Sequence, residues 1–364
     1  MKILITGAHF TPAQAIVEEL QKLEKVEIIY VGRKYTLEGD KALSAESQIM
    51  PTMGVKFIPI VTGRLRRYLS LGTIISLFKL PIGFIQGFWI VLTQRPDVVV
   101  SFGGYVAVPV VISAWLLNIP VLIHEQTLVT GLANSISALF ATKIAVTINQ
   151  EYNFPKQKVI LTGNPIRKEI LNVQKASKRK LPIILITGGN QGSHFINDLI
   201  SQILDQLTQK YYLVHQTGDS KFQDFEKLTE RKSQIKNPEN YRLEKFIAGE
   251  EMGKIMKSAD LVVSRAGANT LLELAYLGTP TLIIPISYLY KNEQLVNAKY
   301  FTKAGLGEYL NQEGLSASKL LDQINEMLRK KEQYRKSAQG AKNVVILDAA
   351  KKITQEILIL TQHD

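Results

Sequence analysis

The stretch PIILITGGNQGSHFIN, residues 182–197, decides how the chain folds. A β-branched run from Ile183 to Ile186 enters Gly188, Gly189 and Gly192 and then a helical pattern. Glycines there would let backbone amides approach a phosphate at the helix N-terminus, although glycine at such a turn also serves turn geometry alone. Toward the carboxyl end the same alternation continues through YYLVHQTG (211–218), YRLEKFI (241–247), ADLVVSRAG (259–267) and PTLIIPI (280–286). Toward the amino end it appears as KILIT (2–6), a helix expected over Pro12–Leu23, VEIIYVG (26–32), VKFIPI (55–60), DVVVSFG (97–103), PVLIHE (120–125), KIAVT (143–147) and KVILTG (158–163). Continuous apolar strands separated by helices are the mark of a parallel sheet covered on both faces.

Between the two series lies a polar, basic stretch, EILNVQKASKRK, which reads as a linker. The fold class is therefore α/β, with two doubly wound parallel-sheet domains expected to face one another across a cleft. Residues 1–166 form the first domain, 167–181 the linker, 182–340 the second domain and 341–364 a closing segment. In that segment Ala349, Ile353, Ile357 and Leu360 fall on one helical stripe that would pack back toward the first domain.

The 364 residues carry 44 Lys plus Arg against 32 Asp plus Glu, a net charge of +12, and no cysteine. A thiol nucleophile, a zinc ribbon and a disulfide scaffold are excluded. The positive field favours phosphates, nucleic acid or an anionic bilayer; no nucleic-acid-binding motif accompanies it. MKILITG reads as a buried first strand rather than a signal peptide. Arg66, Arg67, Lys79, Pro81 and Gln86 interrupt the apolar region Leu65–Leu92 too often for a spanning helix. From Gly63 to Trp89, however, Arg64, Arg66, Arg67 and Lys79 lie among Leu69, Leu71, Ile74, Ile75, Leu77, Phe78, Phe84, Ile85, Phe88 and Trp89. That mixture suits the headgroup layer of an anionic membrane; ordinary helices packing on the first sheet would also explain it.

Ligands in such sheets bind at the carboxyl ends of strands, so the loops carry the chemistry. SRAGANTLLELAYLG (264–278) repeats the strand, glycine and helix arrangement, with Glu273 placed to accept from a ribose diol or simply to be solvated. HEQTLVTGLAN (124–134) concentrates hydrogen-bonding side chains beside a strand end, FGGYVAVPV (102–110) adds a glycine pair, and TGNPIRKE (162–169) supplies Arg167. Gly103 and Gly104 also fit a plain turn, and Arg167 a helix C-cap. No D-x-D sequence follows a strand, so no obligatory metal is expected.

Together DVVVSFGGYVAVP, VLIHEQTLVTGLAN, LTGNPIR, TGGNQGS, VHQTG, ADLVVSRAGANTLLELAYLGTP and EQLVNAKYF, collinear from Asp97 to Phe301, resemble the bacterial MurG glycosyltransferases. The resemblance implies the GT-B fold and transfer of N-acetylglucosamine from its UDP donor to the muramyl sugar of an undecaprenyl-diphosphate-linked peptidoglycan precursor. It implies no cofactor, and a peripheral position on the cytoplasmic face of the plasma membrane, with other cell-wall enzymes as further partners. Carried over by position, it places Arg167, Asn190, Gln191 and Gly192 near the donor diphosphate, with Thr127 also on the donor side. Ile247 falls by the uracil, Ala268, Asn269, Thr270, Leu271 and Leu272 at a phosphate-binding helix start, Glu273 on the ribose, and Gln294 and Asn297 toward the sugar. It gives the acceptor to Thr6, Gly7, Ala8, Gly103, Gly104, Tyr105, His124 and Asn134.

The first loop departs from the family's G-G-T-G-G-H: Thr6-Gly7-Ala8-His9 has one glycine and a shorter turn, with the Ala8 N–H still expected to be on offer. His9 is the expected base and Glu125 the second, or the partner that orients a histidine; a histidine capping the first helix is the alternative reading of His9. His124 also fits a structural role, His215 either the donor site or the core, and His194 and His363 carry no signal. The expected reaction is an inverting single displacement. A diacylglycerol glycosyltransferase and a catalytically decayed homologue are the competing functions.

Overall fold

The computed structural model describes residues 1–35, 43–63, 71–174, 179–189, 191–219, 222–287 and 290–362. They divide into two compact units, residues 1–167 with 346–364, and 168–345. Asn190, Arg64, Arg66, Arg67, Leu69, His363 and part of the linker lie outside the described residues, as do the side chains of Leu71, Ile74, Ile75 and Leu77.

Unit 1 is built on β1 (Lys2–Thr6), β2 (Glu27–Gly32), β3 (Lys56–Pro59), β4 (Val98–Ser101), β5 (Val121–Glu125), β6 (Lys143–Val146) and β7 (Val159–Leu161). Every pairing is parallel, in the order β3-β2-β1-β4-β5-β6-β7. The helices are α1 (Phe10–Leu20), α2 (Ala45–Thr52), α3 (Leu71–Gln94), α4 (Ala107–Leu116) and α5 (Leu132–Phe140). Because successive strand side chains point to opposite faces, Ile3 and Ile5 enter one core layer with Ile16, Leu20, Ile353 and Ile357, while Leu4 enters the other with Val91, Val110 and Ile144. The helix expected over Pro12–Leu23 begins and ends earlier. Pro12 fits its first turn, where its missing N–H costs nothing, and Gln21 closes the helix by bonding to the Val17 carbonyl at 3.0 Å.

Unit 2 opens with α6 (Lys168–Leu171), the first turn of the expected linker. Ile170 is buried, and the Tyr276 hydroxyl donates to the Leu171 carbonyl at 3.0 Å. Its sheet contains β8 (Ile183–Thr187), β9 (Tyr212–Gln216), β10 (Tyr241–Glu244), β11 (Leu261–Ser264), β12 (Thr281–Ile283) and β13 (Gly307–Tyr309), in the parallel order β10-β9-β8-β11-β12-β13. The edge strand β13 was not expected, since Gly307-Glu308-Tyr309 has no apolar run. The helices are α7 (His194–Thr208), α8 (Asp224–Gln234), α9 (Gly249–Ser258), α10 (Ala268–Leu277), α11 (Glu293–Lys303), α12 (Ala317–Arg329) and α13 (Lys331–Gly340). The last helix, α14 (Ala349–Thr361), belongs to unit 1, where Ile353, Ile357 and Leu360 join the core layer of α1.

Candidate functional site

In unit 2 the β8–α7 turn works because of glycine. Gly189 and Gly192 have φ of 83° and 74°, and a Cβ on Gly192 would run into the Thr217 carbonyl. Ser193 caps α7 by accepting from the Ile196 N–H at 3.4 Å, and Gly267 precedes α10. Both helix starts border a cavity of about 400 Å³ that Arg265 also lines. This cation is buried, its Nε donating to Ser193 Oγ at 2.9 Å and its Nη1 to the Ile284 carbonyl at 3.0 Å. Two helix N-termini and a guanidinium on one cavity make an anion site suited to a diphosphate.

Of the residues expected around a donor, Gly192, Thr270 and Gln294 line this cavity. Gln294 Oε1 accepts from the Ala266 and Ile286 amides at 3.3 and 3.0 Å, which fixes the orientation of its side-chain amide at the cavity wall. Ala268, Asn269 and Thr270 form the first turn of α10, Gln191 is exposed on its loop, and Glu273 is buried a turn further on. Three expectations are corrected. Asn297 is 0 % exposed and donates to the Ala266 carbonyl at 3.1 Å, so it supports the loop from behind and does not face a sugar. Leu271 and Leu272 are core side chains, and the Leu271 N–H is spent on the Gly267 carbonyl at 3.0 Å.

Ile247 is buried, with its N–H donated to Gln216 Oε1 at 2.9 Å, while Gln216 Nε2 donates to the Gly189 carbonyl at 3.0 Å. Gln216 thus ties the glycine turn to the 247 segment. His194 and Arg265 are cavity residues absent from the sequence-derived set. His194 Nδ1 lies 2.7 Å from Asp224 Oδ1, and its ring stacks on Phe222 with centroids 4.0 Å apart. The S-R-x-G string could have pointed to Arg265; the partner of His194 is 30 residues away and invisible locally. His215 belongs to the core, between the Tyr241 hydroxyl at 2.9 Å and Asn197 Oδ1 at 3.0 Å, and burial lowers its pKa to about 3.

In unit 1 the corresponding turns begin α1 and α4. Gly7, at φ 140°, lets the chain pass Phe102, where a Cβ would stand 2.8 Å from the Phe102 carbonyl carbon. The Tyr30 hydroxyl donates to the Gly7 carbonyl at 3.0 Å, and the Ala8 N–H donates to the Gly103 carbonyl at 2.9 Å. The expectation that Ala8 offers its N–H is therefore corrected. Among the described residues, the amides of Gly104, Tyr105 and Val106 at the head of α4 have no hydrogen-bond partner.

His9 is the N-cap residue of α1, yet its side chain makes no capping bond, so the capping reading of its ring fails. Desolvation of the ring, then the Arg33 charge, lowers its pKa to about 4, which keeps it neutral.

Behind the glycines lies a buried polar layer. Thr6 and His124 are wholly buried, and His124 Nε2 donates to the Gly163 carbonyl at 2.9 Å, with burial lowering its pKa to about 4. Asn134 Nδ2 donates to the His124 carbonyl at 3.1 Å and to Glu125 Oε2 at 3.0 Å. Glu125 is 2 % exposed; its Oε1 also accepts from the Thr127 amide at 3.1 Å and its Oε2 from Gly131 at 3.4 Å. The Thr127 hydroxyl sits 2.9 Å from the same Oε1 and 2.6 Å from the Val129 carbonyl. Burial pushes the Glu125 carboxyl up and these donors pull it back. Among the described residues Glu125 bonds to no histidine ring and organises the 126–134 loop, so the role of base or histidine partner is corrected, as is direct acceptor contact by the buried Thr6, His124 and Asn134. Arg167 is the last residue of unit 1.

Over residues 78–94 helix α3 carries large apolar side chains on its exposed face. Gly83, Gly87, Ile90 and Val91 face inward, and a Cβ on Gly87 would stand 3.1 Å from the Pro109 carbonyl carbon. Phe78, Ile82, Ile85, Trp89 and Leu92 project outward at alternating steps of four and three, with Phe78, Ile85 and Trp89 exposed by 75, 71 and 65 %. On α4 and α5, Trp115, Leu116 and Leu139 are exposed as well. Packing on the sheet therefore explains Gly83, Gly87, Ile90 and Val91 but not the exposed large side chains of α3. Among the described residues no helix is long and apolar enough to cross a membrane.

Two doubly wound parallel-sheet units with glycine turns at the strand ends define the class of fold, one whose ligands bind at the carboxyl ends of the strands. Residues 6–146 match the glycosyltransferase family 28 N-terminal domain and residues 183–356 its C-terminal domain; the chain belongs to this family. A Clostridium botulinum protein named UDP-N-acetylglucosamine--N-acetylmuramyl-(pentapeptide) pyrophosphoryl-undecaprenol N-acetylglucosamine transferase is 36% identical over 95% of this chain and 98% of its own length. A Bacillus cereus protein of the same name, numbered 2, is 33% identical over 92% of this chain and 93% of its own. The crystal structure of Acinetobacter baumannii MurG shares the fold with a TM-score of 0.72, at 24% identity over 98% of this chain and 99% of that one.

Proposed function

We propose that the chain transfers N-acetylglucosamine from UDP-N-acetylglucosamine to the muramyl sugar of an undecaprenyl-diphosphate-linked pentapeptide precursor. The observation that carries this reading is the meeting of two helix N-termini and buried Arg265 on one cavity in unit 2, in a chain similar over nearly its whole length to transferases of that name. Unit 2 takes the UDP-sugar: the amides of α7 and α10 and Arg265 hold the diphosphate, and the 247 segment borders the uracil. Unit 1 takes the acceptor, its diphosphate meeting the amides at the head of α4.

His9 is the base. The muramyl hydroxyl attacks the anomeric carbon, the new C–O bond forms as the bond to the UDP oxygen breaks, the proton passes to His9, and the electron pair leaves on UDP with inversion. In the free protein burial and Arg33 hold His9 neutral. A bound acceptor diphosphate opposes the Arg33 charge and raises the basicity of the ring for the step. The developing charge on UDP is met by fixed amides and Arg265, without an obligatory metal. The apolar face of α3, α4 and α5 rests peripherally on an anionic bilayer, on the cytoplasmic side where the donor is available.

The test supplies purified protein with UDP-N-acetylglucosamine and the muramyl lipid diphosphate, alongside diacylglycerol as a rival acceptor. Glycosylated muramyl lipid and stoichiometric UDP are expected. Intact UDP binding without transfer would turn the reading toward a decayed homologue.

A further inference from the structure

Unit 1 contains a cavity of about 300 Å³ whose apolar part has no role in the transfer step. Its walls are apolar: Leu80 and Phe84 of α3, Val108 and Pro109 of α4, and Leu132 and Ile136 of α5. Ala8, Gly104 and Tyr105, from the turns beside His9, also line it, and among the described residues Arg33, whose Nε donates to Glu46 Oε1 at 3.1 Å, is its one cation. Phe84 and Leu132 are at once walls of this cavity and members of the exposed apolar surface, so the cavity joins that surface to the glycine turns.

This sequence of chemistries, cation and open amides, then an apolar cavity, then an exposed apolar face, matches an amphiphile with a diphosphate at one end and a hydrocarbon chain at the other. A sugar would leave its hydroxyls unpaired against these walls. The size falls at the small end of small-molecule sites, enough for a short part of a chain. We propose that the cavity holds the diphosphate-proximal isoprene units of a polyprenyl diphosphate, so that the protein draws the start of the chain out of the bilayer and recognises its acceptor by the lipid as well as by the sugar. The proposal rests on the acceptor assigned to unit 1 above.

The whole chain, without vesicles or detergent, is titrated with farnesyl diphosphate and with inorganic diphosphate. Farnesyl diphosphate is expected to bind about tenfold or more tightly. Ile136→Trp, which fills the cavity, should abolish that difference and leave UDP affinity unchanged. Leu132→Trp, at a half-exposed wall position, serves if Ile136→Trp does not fold. Equal binding of the two probes by the native protein, or a preference that survives both substitutions, would overturn the proposal. Failure of this proposal and failure of the functional reading separate cleanly. Transfer to the muramyl lipid without a farnesyl preference removes the cavity assignment alone, and a cavity-dependent preference without transfer removes the transferase reading alone.

Discussion

The Ala8 N–H donates to the Gly103 carbonyl at 2.9 Å, which fastens the first turn of unit 1 to the glycine pair after β4. The shortened turn closes on its neighbour, and the amides left for an anion are those at the head of α4. Gly104 has φ 83°, and a Cβ there would stand 2.5 Å from the Ala8 Cβ. Gly104→Ala is therefore expected to lower kcat/KM for the lipid acceptor by about tenfold or more while UDP affinity is unchanged. Equal losses on donor and acceptor would argue against this placement.

His9 makes no side-chain bond to its own helix, so His9→Gln should spare folding and reduce kcat by roughly 10²–10⁴. The acid limb of kcat/KM, which reports the free protein, should fall near pH 4 rather than at the ordinary 6.5. Removing the charge in Arg33→Leu should shift that limb to higher pH, because the Arg33 charge helps lower the His9 pKa. A limb that stays in place would exclude His9 as its source.

Three histidines, His9, His124 and His215, are held neutral with pKa values lowered to about 4, 4 and 3. Each has an ordinary value of 6.5 once unfolded, so the unfolded chain binds more protons between these limits. Stability is full above about pH 6.5 and falls as pH drops toward 4, with His215 extending the loss to about 3. Urea midpoints measured from pH 7.5 to 4 should decline steadily, and a flat profile over that range would contradict the neutral assignments.

At the donor cavity, Arg265→Met should weaken UDP binding by about tenfold or more, since a guanidinium near a diphosphate is removed. His194→Ala should produce a smaller loss, and Asp224→Asn, which keeps the hydrogen-bonding shape but removes the charge behind His194, should follow it. Transfer should persist in EDTA; activity lost there and restored by magnesium or manganese would refute transfer without a metal.

For the membrane face, Ile85→Glu with Trp89→Glu should reduce co-sedimentation with anionic vesicles by about tenfold or more and leave UDP binding intact. Unchanged co-sedimentation would assign these side chains to another role.

The strands were legible because buried parallel strands are continuous apolar runs; Ile3, Leu4 and Ile5 are all interior, on alternate faces. β13 was not, because an edge strand of three residues leaves no such run. The glycine turns were legible for the same kind of reason, a backbone demand that few residues meet. Polar residues were harder. Asn297, Asn134 and His124 have the right chemistry to touch a ligand, yet each is buried behind the loop it supports, and a residue's type does not reveal which side of a loop it occupies. His194 was missed in the opposite direction, its partner and stacking ring being supplied by a distant segment.

Gln216 carries one further consequence. Since its amide joins the Gly189 carbonyl to the Ile247 N–H, the glycine turn on the cavity and the 247 segment are already fixed to each other before anything enters. A fragment that grips one of them need not order the other. The binding free energies of a nucleoside and of a diphosphate measured separately should therefore combine as in a chelate, with the joined molecule gaining the advantage of a linkage made in advance.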